Sequence, residues 1–86
     1  MKLIITIIPG NECDAVSLAL TEKKFRVTQI ASTGGFLRKG NATLLVGVDD
    51  EELDEAIDII RQKVGSSNSR QKGVLFVVKV DQFIHF

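Results

Sequence analysis

Few side chains in this sequence have the makings of chemistry, and most of those that do fall in one stretch. Thr33, Gly34, Gly35, Phe36, Leu37, Arg38, Lys39, Gly40 and Asn41 follow one another between two β-branched, apolar runs. Adjacent glycines permit positive φ and let a ligand approach the backbone closely. Phe36 and Leu37 stand in an otherwise polar segment, where burial within the chain gives them no obvious reward. Arg38 carries a planar guanidinium fork suited to phosphate. Arg26 lies on the run leading into this segment, and alternation puts it on the same face as Thr28. An aromatic platform, exposed amides and two arginines together suit a nucleotide, with the base stacked and the phosphate held. The competing reading is a long hairpin loop whose Phe36 packs on a neighbouring subunit.

The remaining candidates for chemistry are poor. The chain has one His, His85, and one Cys, Cys13. That pair alone cannot build a zinc site, and a lone cysteine cannot close a disulfide within the chain. Cys13 reads as a small core residue of a helix, and His85 as exposed or at an interface. No Cys-His or Ser-His-Asp spacing is present for nucleophilic catalysis. The acidic group Asp49, Asp50, Glu51, Glu52, Asp54 and Glu55 is explained by helix capping and the helix dipole more cheaply than by a metal. Gly35 and Gly40 have the spacing that opens a phosphate loop, but Asn41 and Ala42 stand where Lys and Ser or Thr are required. The sequence therefore reads as a non-enzymatic binding protein with no metal and no resident cofactor.

These residues have to be positioned by a small scaffold. The chain has 86 residues, 44% of them apolar, with eleven basic and eleven acidic side chains. That is one globular domain, residues 1–86. At this size roughly 60% of the unfolded surface is buried on folding, so association is expected to help hold it together. The zero net charge and the absence of Trp and Tyr argue against DNA or RNA as a partner. The longest apolar stretches run to about six residues, too short to cross a membrane. The N-terminus lacks the length and cleavage site of a signal peptide, so the expected location is cytoplasmic.

Leu3 to Ile8 is almost wholly apolar and predicts a central strand buried on both faces, stopped by Pro9, Gly10 and Asn11. A helix over residues 12–24 follows, capped by Asn11 or Asp14, with Val16, Ala19, Leu20 and the stem of Lys23 facing inward. Residues 25–31 predict a second strand with Arg26, Thr28 and Ile30 on one face, and residues 42–48 a third. Asp49 is expected to cap a second helix, with Glu52 completing a capping box and Leu53, Ile57, Ile60 and Val64 forming its stripe. Gly65 ends that helix, and residues 74–80 predict a fourth strand. The order βαββαβ predicts an α+β, ferredoxin-like sandwich: a four-stranded antiparallel sheet with two helices on one face. Apolar residues occupy both faces of the first, third and fourth strands, so the bare sheet face predicts an oligomer in which such faces meet.

Phe25-Arg26-Val27-Thr28, the run from Ser32 through Arg38 to Thr43, Gly47, and the ending from Phe76 to Phe86 together resemble the PII-like cyclic-di-AMP receptor family. The resemblance implies a bacterial, non-catalytic signal-transduction protein. It implies a homotrimer of PII-like subunits that binds cyclic di-AMP in clefts between neighbours and signals to a downstream protein. Carried over by position, it assigns ligand contacts to Arg26, Thr28 and Asn41. It places Gly35, Phe36 and Leu37 around an adenine with Arg38 nearby, gives Gly47 the role of leaving room, and makes Phe76 a wall for the other adenine. The family carries a longer segment before the last strand than residues 65–73 supply here. It also tends to have Gln where this chain has His85, an exchange that would either weaken that contact or make it sensitive to pH. The alternative function is a PII-like module that binds another adenine nucleotide or acts through protein contacts alone.

Overall fold

The computed structural model of the chain describes residues 1–30, 41–64, 73–84 and 86. Strand β1 (Lys2–Pro9) leads directly into helix α1 (Gly10–Glu22). Strands β2 (Arg26–Ile30) and β3 (Asn41–Val48) follow, then a 3-10 turn (Asp50–Glu52), helix α2 (Leu53–Val64) and strand β4 (Val74–Lys79). The four strands form one sheet in the order β2-β3-β1-β4, every neighbouring pair antiparallel. This is the ferredoxin-like α+β architecture that the sequence predicts. It arises because each strand-helix-strand half crosses over and leaves a gap for a strand of the other half.

Period-two patterning decides which side of the sheet carries the core. Ile4, Thr6 and Ile8 of β1 and Ala42, Leu44, Val46 and Val48 of β3 are buried. Cys13, Val16 and Leu20 of α1 and Ala56, Ile60 and Val64 of α2 pack against them. Thr6 is the one buried polar residue among those described, and its hydroxyl donates to the Val74 carbonyl at 2.9 Å. The alternate residues of β1 and β3 are only half-buried. β1 is thus central, as expected, but its second face is open in the protomer.

Several local expectations are corrected. Helix α1 begins at Gly10 rather than residue 12, and neither Asn11 nor Asp14 caps it. Pro9 occupies the cap position with φ −60° and ψ 138°, so the turn from strand to helix is made by a ring whose φ is already fixed. At the other end, the amides of Lys24 and Phe25 donate to the carbonyls of Thr21 and Leu20, with Lys24 at φ 69°. This Schellman pairing turns the chain into β2 and removes Phe25 from the strand. The Lys23 stem stays outside the core, its ammonium 3.6 Å from Glu55. Ahead of α2, the Asp49 backbone carbonyl accepts from the Glu52 amide at 2.9 Å and no side-chain cap forms. The backbone of a 3-10 turn does what a capping box was expected to do. Along α2 the stripe is rotated, so that Ala56 is buried and Leu53 and Ile57 lie at its margin.

Candidate functional site

Gly35, Phe36, Leu37 and Arg38 fall within residues 31–40, and these four, like His85, lie outside the described residues. The other predicted contacts, Arg26, Thr28, Asn41, Gly47 and Phe76, can be placed by register. Arg26 is the cross-strand partner of Gly47, and Thr28 that of Leu45. Gly47 in turn pairs with Leu3, and Leu45 with Ile5. Ile5 pairs with Phe76 across the β1–β4 ladder. Asn41 has the same parity on β3 as Leu45 and Gly47. All five residues therefore belong to the helix-free face of the sheet.

They are not all neighbours on that face. Arg26, Gly47 and Thr28 sit together on β2 and β3. Phe76 is in the same row as Thr28 but on the opposite edge strand, three strand spacings or about 14 Å away. Asn41 lies six residues along β3 from Gly47, about 20 Å. The strip between them is aliphatic: Leu3, Ile5, Ile7 and Leu45 are half-buried, and Val74, Phe76 and Val78 are exposed. Arg26 is exposed and has no ion-pair partner among the described residues, which leaves its guanidinium open to an anion at the edge of an apolar strip.

Sequence reasoning did not anticipate Met1. Its Cε lies 3.2 Å from where a Cβ on Gly47 would stand, so the room beside Gly47 is filled by this thioether end. The Met1 amino group is 3.2 Å from Asp50 Oδ1, and this ammonium is the main reason that the Asp50 carboxyl is held below its ordinary pKa. The Met1 carbonyl accepts from the Val80 amide at 3.1 Å. The parity of Leu3 and Ile5 was the available signal for this placement, since Met1 continues the same alternation.

A cavity of about 370 Å³ lies on the other side of the sheet, between α2 and strands β1 and β4. Thr6, Ile8, Ile57, Ile60, Arg61 and Val64 are among its lining residues, and none of the five candidates reaches it. Among the described residues it has no aromatic wall for a base, and the helix-free face has Phe76. No helix among the described residues is long and apolar enough to cross a membrane.

A functionally unknown protein from Pediococcus pentosaceus ATCC 25745, known from its crystal structure, superimposes with a TM-score of 0.79 at 28% identity. The match covers 99% of this chain and 96% of that one, so the two are alike over nearly their whole lengths. The family model described as cyclic-di-AMP receptor matches residues 1–72, which takes in β1 through α2 and the whole glycine-rich segment. Strand β4 and the ending from Phe76 to Phe86 lie beyond that match. More than four-fifths of the chain falls within it, and the protein belongs to the cyclic-di-AMP receptor family.

Proposed function

We propose that this protein is a non-enzymatic sensor that binds cyclic di-AMP in clefts between the subunits of a homotrimer and passes the signal to a downstream protein. One observation carries the reading beyond family membership: Arg26, Thr28, Asn41, Gly47 and Phe76 share the helix-free face, yet Phe76 is on the far edge strand from Arg26 and Thr28. A ligand resting on β2 and β3 of one subunit meets the β4 edge most readily from a neighbour. The aliphatic strip between the two edges gives a neighbour something to cover. In this reading Arg26 holds a phosphate, Thr28 and Asn41 make polar contacts, and Phe76 stacks on one adenine. Gly35, Phe36 and Leu37 surround the other, with Arg38 nearby, as the resemblance implies.

The test is calorimetric titration of the full chain with cyclic di-AMP, with cyclic di-GMP and ATP as controls. Selective binding near one ligand per subunit is expected, and Arg26→Ala should weaken it by about 1.5–3 kcal/mol, the worth of a hydrogen bond to a charged group. No heat from a folded, trimeric protein would overturn the reading. That result would favour a module acting through protein contacts, for which the nine-residue span between α2 and β4 speaks.

A further inference from the structure

We propose that Met1 forms part of the ligand-binding surface, its thioether standing beside Gly47 as a wall for an adenine of the bound nucleotide. The inference rests on the proposed function, and it adds to that site a residue that neither the resemblance nor the family match assigns. Gly47 has no side chain, and its cross-strand partners on this face are Arg26 and Leu3. A ligand held by Arg26 and reaching toward Gly47 would meet whatever occupies the space above the glycine. That space holds the Met1 methyl.

Two backbone contacts fix Met1 in this place. The Val80 amide donates to its carbonyl, and Asp50 pairs with its amino group. The main chain is thus tied to the end of β4 and to the turn before α2, while the side chain remains accessible at 42% exposure for the residue. An anchored main chain with an accessible, polarisable side chain suits contact with an aromatic ring. Sulfur favours the edges and faces of such rings, and three rotatable bonds let the side chain adjust to the base. A residue that only plugged the gap beside Gly47 would have to leave when a ligand arrived; a wall residue stays and contacts it.

Met1 is the only methionine in the chain, so protein labelled with [methyl-13C]methionine has one methionine methyl signal. On titration of the full chain with cyclic di-AMP, that signal should move under the ring current of the base, upfield if the methyl lies over the ring and downfield if it lies at the edge. It should also show nuclear Overhauser contacts to adenine protons. A chain beginning at Lys2, released from a cleavable tag, should bind about two- to tenfold more weakly if its circular dichroism melt is retained. Calorimetric binding of cyclic di-AMP with an unmoved methyl signal, or with a signal shifted to its free-chain position and no contact to the base, would overturn the inference and leave the proposed function standing. Absence of calorimetric binding by folded wild-type protein would overturn both.

Discussion

Gly47→Ala separates what the fold needs from what the candidate site needs. Gly47 is in β3, flanked by Arg26 on β2 and Leu3 on β1. Its φ lies outside the left-handed region, so alanine adopts the same backbone without strain. The added Cβ has one neighbour closer than ordinary contact, the Met1 Cε at 3.2 Å, and that atom ends a flexible side chain able to retreat by a few tenths of an ångström. The fold therefore has nothing to lose, and alanine removes about 0.4–1 kcal/mol of unfolded-state freedom. At this chain length the melting temperature should stay level or rise by a few degrees, at about 4–8 °C per kcal/mol. Ligand binding should go the other way. The new methyl group stands on the face where the ligand must lie, and overpacking of that kind costs about 1–3 kcal/mol, or roughly five- to 150-fold in affinity. Thermal melts without ligand and calorimetry with cyclic di-AMP measure the two effects separately. Wild-type affinity in the variant would remove Gly47 from the site, and a drop of several degrees in melting temperature would refute the account of its backbone.

Gly73→Ala should behave in the opposite sense. Gly73 has φ +148°, and a Cβ there would meet the Ile7 carbonyl oxygen at 2.6 Å, so a loss of about 1–3 kcal/mol is expected and a wild-type melt would refute it. Lys24 holds φ 69° at the left-handed position of the Schellman turn after α1, where a Cβ is penalised. Lys24→Gly should raise stability by up to about 1 kcal/mol, read as a higher urea midpoint at unchanged slope, and a lower midpoint would contradict the assignment.

The architecture was legible because the signals behind it are redundant. The alternation of β3 and the i, i+3, i+4 spacing in α2 each fix a face, and together they fix a layer. Helix ends were less legible, because several groups compete for the same unpaired amides and carbonyls. Around α1, Asn11 and Asp14 are good caps by type, but Pro9 had already set the entry angle. The acidic run before α2 suggested a side-chain cap where a 3-10 turn closes on the backbone instead. For the site, parity alone put Arg26 and Thr28 on one face. The relation of that face to Phe76 needed the strand order, a long-range property that no local pattern carries. Met1 was missed because a terminal residue has no flanking pattern by which to judge its packing, even though its parity with Leu3 was available.

If subunits associate through the helix-free face, as proposed, Leu45 is the position at which to ask. Leu45 stands in mid-row between Thr28 and Ile5, half-buried in the protomer, while its neighbours Leu44 and Val46 point into the helix-side core. A charge at position 45 therefore spares the core of the subunit. If the face stays in water, Leu45→Asp loses strand propensity and the partial burial of one leucine, and should cost about 1–2 kcal/mol. If neighbouring subunits cover it, an unpaired carboxylate is forced into an apolar contact. The cost is then several kcal/mol at every interface, enough to dissociate an assembly of small subunits. Light scattering at matched concentration should give a trimer mass for the wild type and a monomer mass for the variant. Calorimetry should show ligand binding lost with the assembly, because the clefts between subunits vanish although Arg26 and Thr28 are untouched. A variant that keeps the wild-type mass would show that this face is not the interface. A monomeric variant that still binds cyclic di-AMP at full affinity would place the site within one subunit, and Phe76, about 14 Å from Thr28 across the sheet, would then have no part in it.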